Sequence, residues 1–102
     1  MPRQIRLSET AKADLLAARQ WLTQSGAGGR AKARLRRITE AIKDLRRHPC
    51  RWPVGDHPGV RERPVEGYRL MYEVAPDTGN DRSAGDVAVL RMFGPFQDRT
   101  QL

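Results

Sequence analysis

Apolar residues change their spacing along this chain, and each change predicts an element. Gln4-Ile5-Arg6-Leu7 alternates polar and apolar residues with a period of two, the pattern of a short strand. Ser8 then offers an oxygen to cap a following helix, and Glu9 places a negative charge in its first turn, where the helix dipole favours one. Ala11, Leu15, Ala18 and Leu22 recur at helical spacing, with Leu16 and Trp21 widening the stripe, so a first helix is expected over about Ser8 to Gln24. Ser25-Gly26-Ala27-Gly28-Gly29 breaks it. Ala31, Leu35, Ile38, Ile42 and Leu45 form a second stripe on a helix whose other positions carry many Arg and Lys. Arg46, Arg47 and His48 suit its negative end and Pro49 stops it, so the two helices are expected to pack as an antiparallel hairpin.

From Pro49 to Pro58 the chain reads as a Pro-rich connector containing Trp52 that crosses from the helices to a sheet. Three strands are expected after it, over Val60 to Val65, Tyr68 to Val74 and Val87 to Phe93. Pro64 cannot donate to a ladder, which ends the first of these or places it at an edge. Glu66-Gly67 supplies a tight turn. The next strand sets Tyr68, Leu70, Tyr72 and Val74 on one face and Arg69, Met71 and Glu73 on the other. Pro76 to Asp86, rich in Gly, Asp, Asn and Ser, reads as a mobile insertion.

At 102 residues the chain makes one domain, 1–102, which can bury roughly two thirds of its unfolded surface. Nineteen Lys and Arg against twelve Asp and Glu leave a formal charge of +7, which suits nucleic acid or an acidic protein segment as partner. Cys50 is the single cysteine, so no intramolecular disulfide forms and a reducing cytoplasm is the expected location. No stretch approaches the run of about eighteen apolar residues that spans a membrane, and no signal peptide is visible.

The order strand, helix, helix, three strands, with Gly59-Val60-Arg61, Gly67-Tyr68-Arg69-Leu70-Met71-Tyr72 and Val87-Ala88-Val89-Leu90-Arg91-Met92 at these spacings, resembles the RelE/ParE family of bacterial toxins from type II toxin–antitoxin pairs. Ala11-Lys12-Ala13-Asp14-Leu15 and the His48-Pro49 exit from the second helix are similar to that family too. The resemblance implies an α+β fold, β-α-α-β-β-β, with an antiparallel sheet packed against the helical hairpin. It implies a hetero-oligomer with a cognate antitoxin whose acidic C-terminal segment wraps the toxin, growth inhibition, and one of two activities. One is poisoning of DNA gyrase in the ParE branch; the other is ribosome-dependent cleavage of mRNA in the RelE branch.

In the RelE branch, cations on the strand after the helices and after the tyrosine of the next strand surround the scissile phosphate. Arg61, Arg63 and Arg69 match those places, with Glu62 or a ribosomal group left to move the proton. After the last strand the chain reads Phe93-Gly94-Pro95-Phe96-Gln97-Asp98-Arg99-Thr100-Gln101-Leu102, with no Tyr or His and only Arg99 as a late cation. That depleted end is more similar to ParE, whose action is binding and not chemistry on RNA. On the same resemblance, candidate contacts to an antitoxin or target are Arg61, Arg63, Arg69, Tyr72, Arg91, Phe93, Arg99 and Trp21.

Each of these has a structural reading as well. The arginines can be solvated charges on a sheet face, with Arg91 pairing across the sheet to Glu62 or Glu73, while Tyr68, Tyr72 and Trp21 can be core or rim aromatics. The basic outer face of the second helix is either solvated or a dock for an acidic antitoxin helix. His48, Cys50, Asp56 and His57 cluster in the connector but match no closed zinc signature, and Cys50 lacks a visible orienting group for nucleophilic work. No metal and no organic cofactor are expected.

Overall fold

The computed structural model describes residues 3–95 and 97–102. Its elements are β1 (Ile5–Leu7), α1 (Glu9–Thr23), α2 (Gly28–Asp44), β2 (Arg61–Val65), β3 (Tyr68–Ala75) and β4 (Asp86–Phe93). The expected order of elements therefore holds, with boundaries within one residue or so of those read from the sequence.

Ser8 caps α1 as its position suggested: its Oγ accepts from the amide of Ala11 at 2.9 Å. The same hydroxyl donates to the carbonyl of Leu90, tying the start of the helix to β4. α2 begins without a side-chain cap, and its last carbonyls are satisfied by the following amides and by one arginine. Ile42, Lys43 and Asp44 accept from the amides of Leu45, Arg46 and Arg47, and Ala41 accepts from the Arg63 guanidinium.

The sheet runs β1-β4-β3-β2. β2, β3 and β4 are antiparallel neighbours, but β1 lies parallel to β4, with Ile5 opposite Val87 and Leu7 opposite Val89, so the sheet is mixed. Both helices, β2 and β3 lie between β1 and β4, so no tight turn joins the two, and a long connection of this kind is what a parallel pair requires. β2 is an edge strand, which is how Pro64 is tolerated. At the β2–β3 turn Glu66 and Gly67 both take positive φ, 51° and 81°, the conformation that a two-residue hairpin needs.

Between the sheet and the helices Ala11, Ala18, Leu22, Ile38, Ile42, Leu45, Leu70, Tyr72, Val74, Val87, Val89 and Met92 form one core. Tyr68, Leu70, Tyr72 and Val74 all face it, as the alternation in β3 predicts. On the opposite face Val60, Met71 and Phe93 make a small second cluster with Leu90 beside it. A bulge in β4 opposite Met71 and Tyr72 leaves Leu90 as the extra residue. Leu16 and Trp21 do not widen the buried stripe: they are 55 % and 63 % exposed, because the core-facing arc of α1 is already filled by Ala11, Leu15, Ala18 and Leu22.

The segment from Pro76 to Gly85 is not a loose insertion. Asp77 takes two hydrogen bonds from Arg61, Asp81 accepts from the amide of Cys50 at 2.8 Å, and Arg3 donates to the carbonyls of Asp81, Ala84 and Gly85. A polar composition was read as mobility; here the carboxylates are the anchors. No described helix is long and apolar enough to cross a membrane.

Candidate functional site

The arginines that the sequence singles out are separated by the pleat of the sheet. Arg61 and Arg63 alternate with Glu62 on β2, so both point toward the helix side, while Glu62 and, across the pair, Arg69 point to the other. They do not converge on one phosphate-sized space.

Arg61 is 12 % exposed and fully engaged. It forms a two-armed pair with Asp77, at 2.8 and 2.9 Å, and its remaining arm donates to the carbonyls of Cys50 and Trp52. The guanidinium bond holds the Asp77 carboxyl below its ordinary value, assisted by the Gly79 amide, and Asp77 in turn keeps Arg61 firmly protonated. Arg63 lies 4.7 Å from the Trp52 ring centroid, donates to the carbonyl of Ala41, and pairs with Asp44 at 3.2 Å. Together they rivet the edge strand and the connector to the end of α2.

Arg91 does not reach Glu62 or Glu73. It pairs with Asp14 of α1 through two bonds, at 2.8 and 3.3 Å, and lies over the Phe93 ring at 4.4 Å. The Asp14 carboxylate also accepts from the amide of Met92 at 2.9 Å. β1 is too short to pair that part of β4, so Asp14 takes the place of a missing strand residue.

Tyr72 is buried in the core and donates its hydroxyl to the carbonyl of Pro49 at 2.7 Å; burial and this setting push its phenol well up. Phe93 is buried in the second cluster. Arg69, 36 % exposed, makes only a long 3.4 Å contact to Glu62. Arg99 and Trp21 are exposed, with the Arg99 carbonyl 2.8 Å from His57 Nε2. Of the eight candidate contacts, then, Arg69, Arg99 and Trp21 keep accessible side chains, and the other five hold the fold together.

His48 and Cys50 lie near Asp81 and Asp77, but no group of metal-ligating side chains is assembled among the described residues. Burial pushes the Cys50 thiol up, opposed by the nearby Arg61 charge, which leaves it protonated and a poor nucleophile.

Since the Asp77 carboxyl is held down in the folded state, its contribution is present above the unfolded value near 3.8 and is lost as pH falls through the lower folded value. Acid titration of unfolding stability is therefore expected to fall more steeply for the parent than for Asp77→Asn from about pH 4 downward. Parallel curves for the two would place the acid sensitivity elsewhere.

A concavity of about 700 Å³ lies between α1 and α2, a groove that none of the eight candidate contacts lines. Leu15, Leu16 and Leu35 line its floor, and Lys12, Arg19, Lys32, Arg36 and Lys43 its walls, with Glu40 the single acid. A signal for it was present in the sequence. Lys32 and Arg36 are like charges four residues apart, which a helix does not favour for its own stability. A second recess of about 440 Å³ is lined by the β2–β3 turn, Arg69, Phe93 and Arg99.

A helical hairpin on one face of this mixed sheet defines a class of small bacterial toxins. Over residues 5–91 the chain matches the model of the ParE toxin of type II toxin–antitoxin systems, parDE, and it belongs to that family. Among solved structures it is similar to a chain of the chromosomal ParDE toxin–antitoxin system from P. aeruginosa, at 19 % identity over 91 % of this chain and 96 % of that one, with a TM-score of 0.67. It is also similar to a chain of the toxin–antitoxin complex RelBE2 from Mycobacterium tuberculosis, at 22 % identity over 92 % and 99 % and a TM-score of 0.59. Both likenesses are of fold. No curated protein matches the chain.

Proposed function

We propose that this ParE-family toxin acts by binding DNA gyrase and is held inactive by a cognate antitoxin. The observation that carries the reading is the fate of the three arginines a ribonuclease would need. Arg61 and Arg63 are consumed by Asp77, Asp44 and backbone carbonyls on one face of the sheet, and Arg69 stands on the other beside Glu62. A phosphate undergoing attack by a 2′-hydroxyl needs cations converging on it and a group to move the proton. Nothing in this arrangement supplies the convergence, so an action through binding suits the chain better. That the solved relatives are described as toxin–antitoxin complexes supports an antitoxin partner.

The test is a pair of assays on the purified full chain. Supercoiling of relaxed plasmid by gyrase should be inhibited, and mRNA on translating ribosomes should stay intact. Cleavage of ribosome-bound mRNA with gyrase unaffected would overturn the proposal in favour of the endoribonuclease reading, with Arg61, Arg63, Arg69 and Glu62 as its candidates.

A further inference from the structure

The positive charge of this protein is not spread over its surface. From Glu9 to Arg47 there are ten Lys and Arg against four Asp and Glu, so the helical hairpin with the turn that leaves it holds six of the seven net charges and the rest of the chain is close to neutral. Pairing divides the arginines and lysines further, although Lys12 and Arg37 on the hairpin meet Glu9 and Glu66, and among the described residues Arg6, Arg51, Arg82 and Arg99 elsewhere meet no carboxylate. Around the sheet Arg61, Arg63, Arg69 and Arg91 each meet a carboxylate. Among the described residues, none of Arg19, Arg30, Lys32, Arg36, Lys43 and Arg47 does, and all six are exposed. Four of them, Arg19, Lys32, Arg36 and Lys43, line one groove; like charges gathered there repel one another and gain nothing from the fold, which makes them a surface arranged for something else.

We infer that the outer face of the α1–α2 hairpin binds the phosphate backbone of double-stranded DNA without reading its sequence. Lys32 and Lys43 share one side of α2 eleven residues apart, about 16 Å at the helical rise, which spans about five base pairs. Arg19 of α1 lies across the groove from that row, so the cations form a band and not a line. The alternative occupant, an acidic amphipathic helix, needs a series of apolar anchors at helical spacing. The groove offers few: Leu15 and Leu35 are half-buried against the core, and Leu16 is the exposed one. Electrostatic contact is what the face supplies in quantity.

For a gyrase poison such a surface would raise the concentration of toxin on the DNA that gyrase holds, but it stands on the charge distribution alone. The test uses the full chain and a fluorescent 20-base-pair duplex of arbitrary sequence, titrated by anisotropy at several salt concentrations. Binding is expected to be indifferent to sequence and to weaken with salt at a slope of roughly −4 to −5 in log K against log salt, as about five neutralised phosphates require. Lys32→Glu with Arg36→Glu should weaken it at least tenfold at low salt and reduce the slope by about 2. Arg6→Glu with Arg82→Glu, the same change in charge away from the hairpin, should weaken it far less.

Absence of binding at low salt, or an equal loss in both double variants, would overturn the inference. So would tight binding of an acidic amphipathic peptide that duplex DNA cannot displace. Gyrase inhibition is scored separately: duplex binding with no effect on gyrase removes the proposed target and leaves this surface standing.

Discussion

Replacing Arg61 with alanine is expected to destabilise the protein by about 3 kcal/mol, more than any other exchange of a charged residue here. Four contacts end on this one guanidinium: two with Asp77, and one each with the carbonyls of Cys50 and Trp52. Removing it leaves Asp77 without its counter-charge in a partly buried place and two carbonyls without donors. The β3–β4 loop and the connector then lose the bolt that joins them. Arg69→Ala is the contrasting case. Its contact to Glu62 is long and more exposed, and its loss should cost well under about 1 kcal/mol. Urea unfolding of the two variants measures both. Equal midpoints would mean that Arg3 and Asp81 hold the loop unaided.

A loss of about 2 to 3 kcal/mol is expected for Asp14→Ala. Asp14 sits on α1, yet its carboxylate finishes the sheet, accepting from the Met92 amide and pairing with Arg91. Alanine would strand a backbone donor on β4 and a cation over Phe93. Asparagine separates the parts. It keeps an acceptor for Met92 while losing the charge, so Asp14→Asn should recover roughly half of the loss. Hydrogen exchange at the Met92 amide reads the backbone half of the argument directly, with faster exchange expected in Asp14→Ala and near-parent exchange in Asp14→Asn. Unchanged protection in Asp14→Ala would mean that the end of β4 needs no plug.

These two residues show where the sequence was readable and where it was not. Periodicity is a local property, and it located both helices, the cap at Ser8, the edge position of Pro64 and the inward face of β3. Ion pairing is not local. Asp77 lies 16 residues from Arg61 and Asp14 lies 77 from Arg91, so nothing in the neighbourhood of either arginine announces its partner. As solvated charges on a sheet face Arg61 and Arg63 would be free, whereas the inner face of β2 turns both guanidiniums toward the helix end. The loop at Pro76 to Gly85 failed for the same reason: Asp77 and Asp81 were counted as polar loop residues, and their bonding partners lie on other elements. The basic outer face of α2 is legible in the sequence, whereas the groove it walls depends on how α1 packs beside it, which is not local. The parallel direction of β1 depends on where the long connection between it and β4 brings the chain back, which no local pattern shows, and the family resemblance implied an antiparallel sheet.

The pairing of β1 with β4 also sets a clock on synthesis. Gln4 meets its partner Asp86 across 82 residues of chain. At bacterial elongation speeds of about 5–20 residues per second, β1 waits roughly 4 to 16 seconds before the segment it pairs with has been made. Until then the helices have only part of a sheet to cover. The ribosome therefore has to pass Val89 before a native toxin can exist, and that interval is open to any protein able to meet the nascent chain first.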